Sequence, residues 1–156
     1  MTRSSGSWSC GNSVKVLDTN LLIYATNSAS PRHARAKEWL EAVMSGSETV
    51  SLPWVVILGF LRITTSNRVL PRPLTPQQAI EVVDSLLSRP NVETMDAGLD
   101  HWAALRALLE ESGTAGNLTT DAHLAARAIE SGATLCSTDA DFARFSRLHW
   151  ENPLQG

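Results

Sequence analysis

Apolar residues recur along this chain in two alternating rhythms. Short apolar runs stand at Val14 to Leu17, Thr49 to Leu52, Val92 to Met95 and Ala133 to Ser137. Each is four or five residues long and bounded by Asp, Gly or Pro, the signature of a buried strand. Between them, apolar positions fall three and four apart, which predicts helices. After Pro31 comes a stripe of Ala36, Trp39, Leu40, Val43 and Met44. A second stripe, Val56, Ile57, Phe60, Leu61 and Thr64, places Pro53 in a helical first turn. Thr75 and Pro76 read as the cap and first residue of a third helix, carrying Ala79, Val82, Val83, Leu86 and Leu87. The fourth stripe joins Leu99, Trp102, Leu105, Leu108 and Leu109 and closes near Gly113. The fifth, from about Thr120 to Glu130, turns Leu124, Ala125, Ala128 and Ile129 inward and ends at Gly132. A last short strand is predicted at Leu148 to Trp150. Strands alternating with helices specify an α/β fold: a single three-layer domain with a central, mainly parallel sheet of about five strands flanked by helices.

Composition narrows this picture. The 156 residues are 43% apolar and carry five Trp and three Phe, enough for one real core and too many for a disordered chain. No apolar run approaches the roughly 18 residues of a membrane span, so a soluble protein without membrane partners is expected. Residues 1–13 lack the apolar centre of a signal peptide and read as a flexible tail, leaving 14–154 as the domain. Cys10 and Cys136 offer neither a disulfide scaffold nor zinc-ligand spacing, and both suit a reducing cytoplasm. A net charge of -3 argues against broad adhesion to nucleic acid. It leaves a nuclease open, because bound cations offset carboxylates locally.

The chemistry sits where strands end. In parallel α/β sheets ligands bind beyond the carboxyl ends of the strands. Asp18 follows the first strand, Asp139 follows the strand through Cys136, and Asp141 comes two residues later. Asp121 stands at the amino-terminal end of its helix, on the stripe of Leu124 and Ala125. Singly, each has an ordinary reading: Asp18 and Asp139 as helix caps, Asp121 as a complement to the helix dipole. Together they would repel one another and raise each other's pKa unless a cation lay among them, and a set of hard oxygens favours Mg²⁺ or Mn²⁺.

Three stretches carry a resemblance: Val-Leu-Asp18-Thr-Asn20; Asn117-Leu-Thr-Thr-Asp121-Ala-His-Leu-Ala-Ala; and Gly132-Ala133 leading to Thr138-Asp139-Ala-Asp141-Phe142. With the closing Trp150-Glu-Asn-Pro153, the chain from Val14 to Leu154 resembles the PIN-domain family, and within it the VapC-type ribonuclease toxins of toxin–antitoxin pairs. The resemblance implies Asp18, Asp121 and Asp139 as metal ligands, with Asp141 adding charge or holding water. It implies Asn20, Asn117 and Thr138 as polar supports of the acids. It further implies a Mg²⁺- or Mn²⁺-dependent endoribonuclease that inhibits translation and growth, a cognate VapB-type antitoxin and a homodimer.

One departure stands out. The family usually has a glutamate in the helix after the second strand, and Gly59 occupies that position here, where glycine costs about 1 kcal/mol against alanine. Arg62 ends the same helix and is a candidate RNA contact, with complementation of the helix dipole as its ordinary reading. His123 reads as a surface histidine, and the tryptophans as mostly core or interface. A phosphatase or receiver domain would need a lysine late in the chain, yet Lys15 and Lys37 are the only two. A dinucleotide fold would need a glycine-rich loop after the first strand. The remaining rival is a catalytically weak or inactive PIN-like binding module, against which the retention of four mutually repelling acids argues.

Overall fold

The computed structural model describes residues 13–113 and 115–155. The predicted tail, apart from Ser13, lies outside the described residues. The elements in chain order are β1 (Val14–Leu17), α1 (Thr19–Thr26), α2 (His33–Met44), β2 (Thr49–Pro53), α3 (Trp54–Thr64), α4 (Pro76–Leu87), β3 (Val92–Met95), α5 (His101–Ser112), α6 (Thr119–Ser131), β4 (Thr134–Cys136) and β5 (His149–Glu151). Two 3₁₀ turns, Gly116–Leu118 and Ala140–Arg144, precede α6 and β5.

All five strands are parallel, in the order β3-β2-β1-β4-β5. Val16 and Leu17 are fully buried, as are Val50, Leu52 and Leu135, because a parallel sheet covered by helices presents no wet face in its middle strands. The chain leaves β1 for β2 on one side and reaches β4 on the other. The carboxyl ends of β1 and β4 therefore lie side by side, with Leu17 paired to Cys136.

Local sequence accounts for most boundaries. Thr75 and Gln78 form a reciprocal capping box at α4, with Pro76 inside the first turn. Gly113 and Gly132 close α5 and α6 at φ of 71° and 66°, a left-handed geometry in which a side chain would be strained. Pro53 belongs to β2 and to the cap of α3, not to the helix: its extended backbone pairs with Met95, so the sheet holds it outside the first turn. Likewise α2 begins at His33 instead of Pro31.

The fourth apolar stripe is only half correct. Leu108 is buried, whereas Leu99 is fully exposed and Trp102 is 66% exposed. Leu99 precedes α5, which starts at His101, so its side chain is not in helical phase with Leu108. Trp54 is also exposed, while Trp39 and Trp150 are partly buried against the core.

Candidate active site

Two turns with different sequence causes meet at the ends of β1 and β4. At the first, Asp18 leaves the strand in extended backbone and caps α1, its Oδ1 accepting the Thr19 N–H at 2.7 Å. Its backbone N–H reaches across the sheet to the Cys136 carbonyl at 3.0 Å. At the second, Asp139 caps the 3₁₀ turn and accepts the Asp141 N–H at 2.9 Å. The ordinary cap readings of Asp18 and Asp139 are thus correct as geometry, and they are compatible with a shared site. Capping fixes where each carboxylate stands and leaves lone pairs free.

Ser137 ties the two turns together, and sequence reasoning passed over it. It is fully buried; its hydroxyl donates to Asp18 Oδ2 at 2.7 Å and accepts the Asp139 N–H at 3.0 Å. Asn20 adds a third link. Its Nδ2 donates to Ser137 Oγ at 3.2 Å and to Asp18 Oδ2 at 3.4 Å, and its Oδ1 accepts the Thr138 N–H at 3.5 Å. The Trp150 indole N–H is spent on the Ser137 carbonyl at 3.0 Å, so the carboxyl-terminal strand also holds this turn. A small hydroxyl residue two positions before an aspartate, at the end of a buried strand, was the available signal.

Asp121 approaches from the third direction, in the first turn of α6. One carboxylate oxygen each of Asp121, Asp139 and Asp141 lie within 4.8 Å of one another. Asp18 does not belong to that trio. It is the most buried of the four acids and is held by Ser137 and Thr19. The four nevertheless share one field. Burial and the charges of Asp139, Asp18 and Asp141 push the Asp121 carboxyl up to about 6, and burial also raises Asp18. Arg144 pairs with Asp141 at 3.7 Å on the rim, too peripheral to neutralise the cluster. Three convergent carboxylate oxygens fit a divalent cation in donor chemistry and in spacing.

The supporting residues divide. Asn20 and the Thr138 backbone join the acidic network, whereas Arg62 is exposed in the last turn of α3. Arg62 lines a groove of about 590 Å³ with Thr19, Val55, Leu58, Gly59, Ile63 and Thr120. Asn117 falls on the 3₁₀ turn before α6, and its side chain lies outside the described set. Gly59 faces α1: a Cβ added there would sit 3.2 Å from Thr19 Oγ1, next door to Asp18.

His123 is not a surface histidine. It is partly buried and meets the buried His101, Nδ1 to Nε2, at 2.7 Å; His101 Nδ1 in turn meets Glu130 Oε2 at 2.7 Å. The ring pair is edge-to-face, and burial together with His101 lowers the His123 pKa. This chain pins α5 to α6 behind Asp121. Hydrophobic periodicity is blind to such a link, because it joins polar residues 22 and 29 positions apart.

Comparison with known proteins agrees with this geometry. The PIN domain family profile matches residues 15–148. Ribonuclease VapC33 of Mycobacterium tuberculosis is 45% identical over 138 residues, covering 88% of this chain and 96% of that protein. VapC ribonuclease Mb2897 of Mycobacterium bovis is 41% identical over 140 residues, 90% and 95% of the two chains. Among solved structures, VapBC2 of Rickettsia felis bound to a promoter DNA fragment contains a chain of the same fold. Its TM-score is 0.66 at 24% identity, covering 89% of this chain and 98% of that one.

Proposed function

The chain belongs to the PIN-domain family, and from that premise we propose that it is a VapC-type, metal-dependent endoribonuclease acting as the toxin of a toxin–antitoxin pair. Relatives that it matches over nearly their whole length are named VapC ribonucleases, and RNA is accordingly its substrate. The observation that carries the reading is the convergence of Asp121, Asp139 and Asp141 within 4.8 Å, beside a buried Asp18. Charges of one sign brought this close destabilise a fold unless they serve a ligand.

In this reading Asp121, Asp139 and Asp141 hold Mg²⁺ or Mn²⁺, with Asp18 as the adjoining acid that completes the site. The bound ion supplies Lewis acidity and charge neutralisation at a phosphodiester. The protein's own groups do the positioning. Ser137 and Asn20 fix the Asp18 carboxylate with two donors, so its outward face cannot rotate away. Asp139 is held by the Asp141 N–H. Asp121 keeps its proton to about pH 6 in the free protein, so loading the site near that pH releases a proton. Asn117 and Thr138 are read here as polar supports of the acids, and Arg62 as a contact to the RNA backbone.

Two partners follow. A VapB-type antitoxin closes the acidic pocket with an arginine, whose rigid fork matches carboxylates. A second copy of the chain covers exposed apolar side chains such as Trp54, Leu58 and Trp102. Among the described residues no helix is long and apolar enough to cross a membrane.

The deciding experiment is cleavage of RNA by the purified protein in excess EDTA and after adding back Mg²⁺ or Mn²⁺. Loss and recovery support the mechanism. Undiminished cleavage in EDTA refutes it, and no cleavage under any condition leaves the binding-module reading in its place.

A further inference from the structure

α6 carries Asp121 at one end and is tied to the sheet at the other. Two residues, Gly132 and Ala133, join it to β4, and the Ala133 N–H donates to the Ala128 carbonyl at 2.9 Å. Asp121 stands about 15 Å from that tie at about 1.5 Å per residue, so a tilt of about 4° displaces its carboxylate by about 1 Å. The buried face of α6 resists such a tilt poorly. Four of its five members are alanines, Ala122, Ala125, Ala126 and Ala128, and the fifth is Leu124. Methyl groups raise low ridges that interlock little, and apolar contact has no preferred direction. Hydrogen bonds do.

His101 supplies them. It is buried at the start of α5, and both of its ring nitrogens are engaged at 2.7 Å. The Glu130 carboxylate only accepts, so His101 Nδ1 donates to it, and Nε2 of the neutral ring accepts from His123 Nδ1–H. Glu130 is itself fixed, since its second oxygen accepts from Arg127 Nη1 at 2.9 Å. The ring is thus held near the tied end of α6 and reaches His123, on the next turn side of Asp121.

We infer that His101 is a positioning residue for the acidic site: by bridging Glu130 to His123 it braces the amino-terminal half of α6 against α5, and so fixes where Asp121 meets Asp139 and Asp141. The inference rests on the metal-dependent nuclease reading and adds to it a residue that touches neither metal nor RNA. Such a brace matters because a misplacement of about 1 Å in a catalytic group can cost about a hundredfold in rate. Chemistry defines the role, not bulk: it takes a donor towards Glu130 and an acceptor towards His123. A glutamine offers both from one amide, and a leucine offers neither.

The test compares the full wild-type chain with His101→Leu, His101→Gln and Leu108→Ala. Leu108 is fully buried on the same helix, so its truncation loosens α5 without touching the hydrogen-bonded chain. Each protein is verified as folded by circular dichroism, titrated with Mn²⁺ in a calorimeter, and assayed on a single-stranded oligoribonucleotide at saturating Mn²⁺. His101→Leu should weaken Mn²⁺ binding by about tenfold or more, as loss of a support behind a metal ligand does. Its kcat should fall by a similar factor with KM for the RNA unchanged, because the surface that binds substrate is intact. His101→Gln should recover most of both losses. Leu108→Ala should melt lower than wild type and keep its Mn²⁺ affinity. Should His101→Leu fail to fold, His123→Leu cuts the same chain from the other side and carries the same expectation.

A folded His101→Leu with wild-type Mn²⁺ affinity and kcat overturns the inference. So does a Leu108→Ala variant that loses as much affinity, since general loosening would then be the cause, or a glutamine no better than leucine, since the hydrogen bonds would then not matter. These outcomes leave the nuclease reading standing. A wild-type protein that neither binds Mn²⁺ nor cleaves RNA with it removes that reading, and the inference falls with it.

Discussion

The most direct probe of the acidic cluster is Asp121→Asn, because the substitution keeps shape and removes one charge. The carboxyl is raised from its ordinary 3.8 to about 6 by burial and by Asp139, Asp18 and Asp141. The unfolded chain therefore loses this proton at lower pH than the folded one, and stability falls as pH rises from about 4 to 6. Below that window the group is neutral in both states and costs nothing. Above it the full cost is present, roughly 3 kcal/mol at about 1.4 kcal/mol per pH unit if none were screened. Asp121 is only partly buried and stands in a helix first turn, where the dipole favours a negative charge. Solvent screening and that dipole reduce the cost to about 1 kcal/mol. In EDTA at pH 7.5 the Asn variant should thus melt about 2–4 °C above the wild type, and at pH 4 the two should coincide. Saturating Mn²⁺ should reverse the order by stabilising only the wild type. Thermal unfolding by circular dichroism across that pH range measures all three. A variant less stable than the wild type at every pH would make Asp121 a structural helix-terminus residue and refute the repulsion argument.

Other consequences are sharper in activity than in stability. Ser137→Ala should cost about 1–3 kcal/mol in urea unfolding, since it leaves Asp18 Oδ2 with Asn20 as its only donor and strands the part-buried Asp139 N–H, and cleavage should fall along with it; unchanged activity would free Asp18 from any need of orientation. Gly59→Glu should tighten Mn²⁺ binding in calorimetry, most clearly when Thr19→Ala makes room for the new Cβ; equal affinities would mean that position 59 does not reach the metal. Glu130→Gln weakens the anchor of His101 and should cost about 1–2 kcal/mol without altering the cleavage sequence found by sequencing RNA ends. Phe60→Ala empties a fully buried site in α3 and should cost about 3–5 kcal/mol in the same unfolding assay.

The sequence by itself determined what depends on near neighbours. Strand runs at β1, β2 and β3, the capping box at Thr75, and the glycine stops at 113 and 132 are local choices of backbone conformation, and each stands where its residues put it. Asp18, Asp139 and Asp141 were legible as neighbours because aspartates just past the ends of parallel strands share one sheet edge, whatever the details. Tertiary structure decided the rest, through contacts between residues distant in the chain. It drew Asp121, Asp139 and Asp141 into one trio and left Asp18 outside it, bound to Ser137 119 residues away. It moved Pro53 into the sheet by pairing it with Met95, and it pushed Leu99 and Trp102 into solvent by the phase at which α5 begins. It joined His123 through His101 to Glu130 across two helices. Periodicity records which face of an element is apolar; only the assembled layers determine which polar atoms on different elements come within hydrogen-bonding distance.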